Sequence, residues 1–269
     1  MRILINALSG IGDAIMFSPA LSILKKHLPD SEVDMLVMFP QVEQLYRGNP
    51  DINRIYFIDF MKQSKFRSLR EVLKIKKNRY DHSINVYPSN RKEYNIVQYM
   101  LGAKNRIAVR YDHVSRANWD FLNSTLKDEV INRHNTLQNF DMVKLIVPEA
   151  AESELGPYRI NFSINEMVFA KEYLIDNDLM GKFLVGFHAG SAVLKGHINK
   201  RWAVEKYITL AQKLNADYGV KLMLFGTEKD INGRIHEETK AFSFIPPTSH
   251  IMDSLALMKS CNLFVSNDT

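Results

Sequence analysis

The opening stretch, MRILINALSGIGDAIMFSPALSILKKHLPD, constrains the fold more than any other part of the chain. An apolar run, Ile3-Leu4-Ile5, meets a turn of small residues, Ser9, Gly10 and Gly12, and then a long segment with apolar residues at helical spacing. Unbroken apolar runs belong to strands buried on both faces, and such strands occur in parallel sheets covered by helices. The segment therefore predicts a strand, a glycine turn and a helix, with Asp13 in the helix's first turn. Backbone N–H groups at a helix start are unpaired and partly positive, so anionic groups settle there. Asp13 either only caps this helix or also takes part in chemistry beside it.

The turn falls short of a dinucleotide fingerprint. Ile15 stands where G-x-G-x-x-G needs its third glycine, which would hinder close helix–sheet packing around a pyrophosphate. The acidic residue expected at the end of the next strand is also missing, since Asp34 lies near the start of DMLVM and that strand runs out into Phe39-Pro40. No nicotinamide or flavin cofactor is expected.

Strand and helix patterns then alternate. Strands are expected at 2–7, 32–38, 54–58, 81–86 and 104–109, and helices at 13–28, 40–47, 66–78, 91–101 and 134–146. Residues 110–133 are polar and weakly patterned and read as a loop near a site, and 149–165 reads as a linker. The alternation restarts with a helix at 165–177, a strand at 183–188, a helix at 203–217, a strand at 220–225, helices at 230–240 and 252–260, and a strand at 262–266. The fold class expected is α/β, two doubly wound parallel-sheet domains over 1–160 and 161–269 with a ligand cleft between them.

Composition excludes several classes. The chain has 269 residues, 46% apolar and 24% charged, ordinary values for a soluble globular protein of two domains. It starts directly on a strand, so no signal peptide is expected, and no apolar run nears membrane-spanning length. Its single cysteine, Cys261, cannot form an internal disulfide and fits a reducing cytoplasm; beside Leu263 and Phe264 it reads as core. The eight histidines lack metal-ligand spacing, and Asp176-Asn177-Asp178, the one Asp-x-Asp, reads as a solvated helix end, so no metal is expected.

Charge is uneven. Residues 60–116 hold 14 basic against 4 acidic side chains, with Lys62, Lys65, Arg67, Arg70, Lys74, Lys76, Lys77 and Arg79 forming the dense part. This is either a solvated helix face or a surface for something anionic, such as phospholipid head groups or a phosphorylated glycolipid. No nucleic-acid motif accompanies it, so nucleic acid is not expected.

Three loops follow strands of the second half: His188-Ala189-Gly190-Ser191 leading to Lys200-Arg201-Trp202, then Gly226-Thr227-Glu228, then Asn267-Asp268-Thr269. A hydroxyl loop can hydrogen-bond phosphate, a lysine can neutralise a departing diphosphate, and a glutamate beyond a parallel strand can accept ribose hydroxyls. With the segments SGIGDAIMFSPALSILKKHLPDSEVDMLV, NPDINRIYFID, AGSAVLKGHINKRWAVEKYITLAQKL, GVKLMLFGTEKD and DSLALMKSCNLFVSNDT, these loops resemble, in order and spacing, the heptosyltransferases of lipopolysaccharide inner core in glycosyltransferase family nine. Arg133-His134-Asn135 resembles the start of that family's last amino-domain helix.

The resemblance implies a GT-B type enzyme of two Rossmann-like domains. The first would bind the acceptor and the second a nucleotide diphosphate sugar, ADP-heptose by the family's habit. Transfer would be inverting and metal-independent, with no cofactor, to a lipopolysaccharide-core type of anionic glycolipid. It implies Asp13 as general base beside Gly12, Ser191 and Lys200 on the donor diphosphate, and Glu228 facing the ribose. Asp268 and Thr269 would open a D-T-G-x-x-H segment holding phosphate. Since Asp13 and Lys200 come from different domains, domain closure would assemble the site. The second domain is expected to be incomplete, because Gly-x-x-His and the elements after it are not among these residues. The expected location is cytoplasmic, peripheral on the inner face of the cytoplasmic membrane through the basic region 60–116. A non-catalytic or degenerate carbohydrate- or nucleotide-binding protein of envelope biosynthesis remains the alternative.

Overall fold

The strand Arg2–Ala7 (β1) buries every residue after Arg2, as a strand with neighbours on both sides must. It pairs in parallel with β2 (Glu32–Val37) on one side and with β4 (His82–Asn85) on the other, Ile5 facing Met35 and Ile84. The computed structural model describes residues 1–191 and 199–267, without the side chains of residues 115 and 116, and divides into two units, Met1–Asn161 and Phe162–Thr269.

In the first unit the order is β3-β2-β1-β4-β5-β6, all parallel, with β3 at Arg54–Phe57, β5 at Asn105–Arg110 and β6 at Thr125–Asp128. Strands run outward from β1 one way to β3 and the other way to β6, so the order reverses between β1 and β4. Its helices are α1 (Ile11–His27), α2 (Pro40–Tyr46), α3 (Lys65–Lys76), α4 (Lys92–Leu101), α5 (Ser115–Asn118) and α6 (Asn135–Val143). Proline 19 sits inside α1 and cannot donate to the Ile15 carbonyl; Ser18 Oγ donates to that oxygen instead, at 2.8 Å.

Residues 110–133 are not a loop. They contain α5, a 3-10 turn at Asp120–Leu122 and the edge strand β6. The segment is held largely by amides, to which a search for hydrophobic periodicity is blind. Asn95 Oδ1 accepts from Asn85 (3.0 Å) and Asn123 (2.9 Å), and Asn95 Nδ2 donates to the Asn118 carbonyl (2.8 Å). Gln98 donates to Asn123 Oδ1 (2.8 Å) and accepts from Asn6 (2.7 Å), tying the segment back to β1. Buried amides that bond to one another in this way favour one arrangement of the segment.

The stretch after α6 is fastened rather than loose. Arg133 grips Asp141 through two 2.9 Å bonds and reaches Glu152 at 2.8 Å, while His134 caps α6 by accepting from the Thr136 N–H. Glu154 accepts from Lys26 at 2.5 Å, and the Arg159 N–H donates to Ser18 Oγ. The carboxyl of Glu154 is held down at about 2 by the Lys26 ammonium and the Ala151 N–H.

The second unit begins with α7 (Ile164–Asp176), whose Ser163 and Glu166 form a reciprocal capping box. Its sheet, β10-β7-β8-β9, is also parallel, from β7 (Leu184–His188), β8 (Lys221–Leu224), β9 (Ser243–Phe244) and β10 (Leu263–Ser266). Helices α8 (Val204–Tyr218) and α9 (Lys229–Thr239) pack against each other, as do α7 and α10 (Ile251–Met258). Two apolar clusters line this sheet, one around Phe187, Tyr207 and Leu222, the other around Leu184, Met223 and Phe225. The expected α/β fold with two doubly wound parallel sheets is the one observed.

Cys261 is a correction. It is half-buried, and its neighbours Leu263 and Phe264 are 47% and 39% exposed, because β10 is an edge strand among the described residues. The Cys261 thiol is still pushed up to about 12 by its partial burial. The Asp-x-Asp at 176–178 is a helix end: Asp178 takes a left-handed φ of 52° and lies near the Lys182 ammonium.

Candidate functional site

Ligands in open parallel sheets bind beyond the strands' carboxyl ends, where the strand order reverses. The first unit places the β1–α1 loop there. Gly10 is the N-cap of α1 and Asp13 its third residue. The Asp13 carboxyl is half-buried, and its pKa is raised above the ordinary aspartate value. Burial is the larger cause, partly offset by the Gly10 N–H and the Ser9 hydroxyl. Asp13 thus lies at the helix start as a cap would, with its basicity raised rather than suppressed. Neither Gly10 nor Gly12 has a left-handed backbone, and a Cβ on either would meet nothing within 4 Å.

Aromatic and acidic residues share this edge. Tyr87, after β4, stacks on Tyr111, after β5, at 5.9 Å, and Tyr111 meets the edge of His113 at 6.1 Å. The Tyr87 hydroxyl donates to Glu129 Oε1 at 2.8 Å, and His113 lies 3.8 Å from Glu129 Oε2. The Ser89 N–H donates to the Tyr111 hydroxyl, and the Tyr87 N–H to Asn139 Oδ1. Burial pushes the Tyr111 phenol up to about 12, and the nearby charges of Glu129 and Asp13 act in the same direction. The same two charges also raise Tyr87, after burial and its hydrogen bond to Glu129. No motif in the sequence marks Tyr87, Tyr111, His113 or Glu129. Their signal is position: each lies just past the end of a parallel strand.

The equivalent edge of the second unit is the gap between β7 and β10. The Asn267 side chain bridges four groups there. Its Oδ1 accepts from the Trp202 N–H (2.9 Å) and the Tyr207 hydroxyl (3.0 Å), and its Nδ2 donates to the Ala189 (2.8 Å) and Gly190 (3.1 Å) carbonyls. Arg201 Nε donates to Ser191 Oγ at 3.0 Å and its Nη2 to the Ser191 carbonyl at 2.5 Å, with Glu228 Oε1 at 3.7 Å. Ser191 and Glu228 therefore come together, with Arg201 as the cation that joins them; Lys200 beside it is exposed. Glu228 is the N-cap residue of α9, and its carboxyl fills the space over Gly190. Asp268 and Thr269 lie outside the described residues.

Among the described residues no group of three or more His, Cys, Asp or Glu is placed to hold a metal ion, and no helix is long and apolar enough to cross a membrane. The concavity of about 420 Å³ lined by Lys25, Lys26, Asp51 and Glu154 lies at the far end of α1 from Asp13 and belongs to the fastened stretch, not to the sheet edge.

A lipopolysaccharide heptosyltransferase 3 of Escherichia coli is 29% identical over 112 residues, 40% of this chain but only 32% of that protein's length. The solved glycosyl transferase family 9 protein of Veillonella parvula superposes over 100% of this chain and 75% of its own, with a TM-score of 0.80 at 20% identity. The E. coli heptosyltransferase WaaC, solved with ADP-2-deoxy-2-fluoro heptose, superposes over 100% of this chain and 83% of its own, with a TM-score of 0.74 at 17% identity. At such identities the superpositions speak for the fold. Residues 67–269 match the family model itself, which is three-quarters of the sequence, and so the chain belongs to glycosyltransferase family 9 (heptosyltransferase).

Proposed function

We propose that the protein moves a sugar, a heptose, from a nucleotide diphosphate donor of the ADP-heptose type to a phosphorylated saccharide acceptor of lipopolysaccharide-core type. The reaction inverts the anomeric centre and uses no metal or resident cofactor. The observation that carries this reading is Asp13: a half-buried carboxyl with a raised pKa, at a helix start on the switch edge of a parallel sheet. The acceptor hydroxyl attacks the anomeric carbon from the face opposite the diphosphate. Its proton passes to the Asp13 carboxylate while the anomeric C–O bond breaks and its electron pair leaves with the nucleotide diphosphate. A base whose pKa is shifted toward the working pH serves better than a fully solvated aspartate.

The first unit would take the acceptor, and the open space over Gly10 and Gly12 supports close approach of a ligand to α1. The second would take the donor. Lys200 and Arg201 would offset charge building on the leaving diphosphate, Ser191 would hydrogen-bond it, and Glu228 would face the ribose. The donor class is supported by the ADP-heptose analogue in the solved E. coli relative. The protein would work at the inner face of the cytoplasmic membrane, where a glycolipid acceptor is displayed.

The experiment is to incubate the protein with ADP-heptose and a phosphorylated lipid acceptor and follow the acceptor's mass. A gain of one heptose is the expected result. Binding of ADP-heptose with no mass gain would make the protein a degenerate, non-catalytic member of the family instead.

A further inference from the structure

Helix α3 has two apolar faces, and among the described residues only one has a partner. Val72 and Ile75 are buried against the first unit's core. Phe66, Leu69 and Leu73, spaced to fall on one line of a helix, are 78%, 39% and 45% exposed and line a shallow groove with Arg70, Lys74 and Lys77. A helix packed on a sheet normally turns only polar side chains to water. Here Leu69, Leu73 and Phe66 face it instead, rimmed by cations. From Lys65 to Lys76 the helix carries five basic residues and one acid, Glu71, which is already paired with Lys74 at 2.8 Å. Met61, in the turn before the helix, is exposed as well.

We infer that α3 is an interfacial helix which lays Phe66, Leu69 and Leu73 into an anionic lipid bilayer while Lys65, Arg70, Lys74 and Lys77 meet its head groups. The composition is the one such helices need: an apolar line that buries shallowly, and a cationic rim drawn to negative lipid. The excess of ten positive charges over residues 60–116 has the matching sign. Topology supports the position too. Helix α3 follows a parallel strand, so its amino end lies at the same sheet edge as Asp13. The inference rests on the membrane location proposed above and names the surface that would make it, while its test is separate from transfer, since a docking helix binds lipid whether or not sugar moves.

Sedimentation with vesicles tests it. With phosphatidylcholine alone the protein should stay in solution. With phosphatidylcholine mixed with phosphatidylglycerol it should sediment, and added salt should release it. The double variant F66S/L73S keeps every charge and should lose about tenfold or more of that affinity, with an unchanged melting curve. Should that variant fold poorly, Phe66→Ala, at the most exposed position, should show a smaller loss of the same kind. Absence of binding to the anionic vesicles would overturn the inference. So would variants that bind like the parent, which would leave charge alone. Displacement of the vesicles by a soluble phosphorylated sugar would reassign the rim to a saccharide. A parent protein that is dimeric, with F66S/L73S monomeric, would assign the face to a second copy.

Discussion

The two units lay their strands in one order around a first strand, β3-β2-β1-β4 and β9-β8-β7-β10, yet the glycines at their switch edges serve different ends. In the second unit they stand against neighbouring side chains. A Cβ on Gly190 would stand 2.2 Å from the Glu228 carboxyl, and Gly226, at φ +110°, would press one against His188 at 2.8 Å. In the first unit, Gly10 and Gly12 have ordinary backbones and open space where a Cβ would go. A crowded glycine reports on its neighbours, whereas at Gly10 and Gly12 nothing crowds the backbone beside Asp13. That contrast separates an edge where Arg201, Glu228 and Asn267 hold their neighbours by polar bonds from one that keeps a basic carboxyl beside open space.

The sharpest way to break the contrast is Gly190→Ala. Overpacking against Glu228 should cost about 1–3 kcal/mol of stability and weaken ADP binding with it. Calorimetric melting and titration with ADP would check this, and an unchanged melting temperature would mean that Glu228 swings aside freely. Next comes Lys200→Ala, which should lower donor affinity and turnover together by about tenfold or more, the scale of a charge-assisted hydrogen bond. Unchanged affinity for ADP would leave Arg201 as the diphosphate's cation. Gly12→Ala should do the reverse of Gly190→Ala: stability equal or higher, by about 0.4–1 kcal/mol at most, with transfer slowed several-fold by a methyl in the ligand's path. If transfer stayed at the parent rate, the open space would carry no meaning.

The smallest effect is in pH. Burial raises the Asp13 pKa, so the base is lost as pH falls through a midpoint above the ordinary aspartate value of about 3.9, and kcat/KM should follow that limb. The sign for stability is opposite to that of a paired carboxylate. The ionised form is disfavoured in the folded state, so Asp13 destabilises above its folded pKa, and the penalty vanishes below its unfolded value. An acid limb at or below the ordinary value would contradict the burial seen around Asp13.

Much of the fold was legible because it is written in apolar spacing. The β1 run, the α1 helix and the later alternation gave both sheets, and belonging to family 9 was readable from the glycine–aspartate turn and the Lys200-Arg201-Trp202 and Asn267 loops together. What was hidden is held by polar groups. The edge strand β6, Thr-Leu-Lys-Asp, is too short and polar to show a period, and the Asn95, Gln98 and Asn123 amides that anchor its surroundings look like any surface residues. The site divides the same way. Asp13, Ser191 and Glu228 sit in recognisable turns, whereas the Tyr87–Glu129 bond joins residues 42 apart that only the sheet brings together. Cys261 misled because two apolar neighbours, Leu263 and Phe264, on an edge strand look like core.

Asp13→Asn keeps the side chain's shape and removes its basicity. ADP affinity and heptose transfer to the phosphorylated lipid acceptor should be measured on the same preparation, beside a melting curve. Transfer lower by about 10²–10⁴-fold, with ADP affinity intact and a melting temperature no lower than the parent's, is the expected result. A variant that transfers heptose at near the parent rate would show that Asp13 is not the base, and so would one whose loss of transfer is matched by its loss of ADP binding.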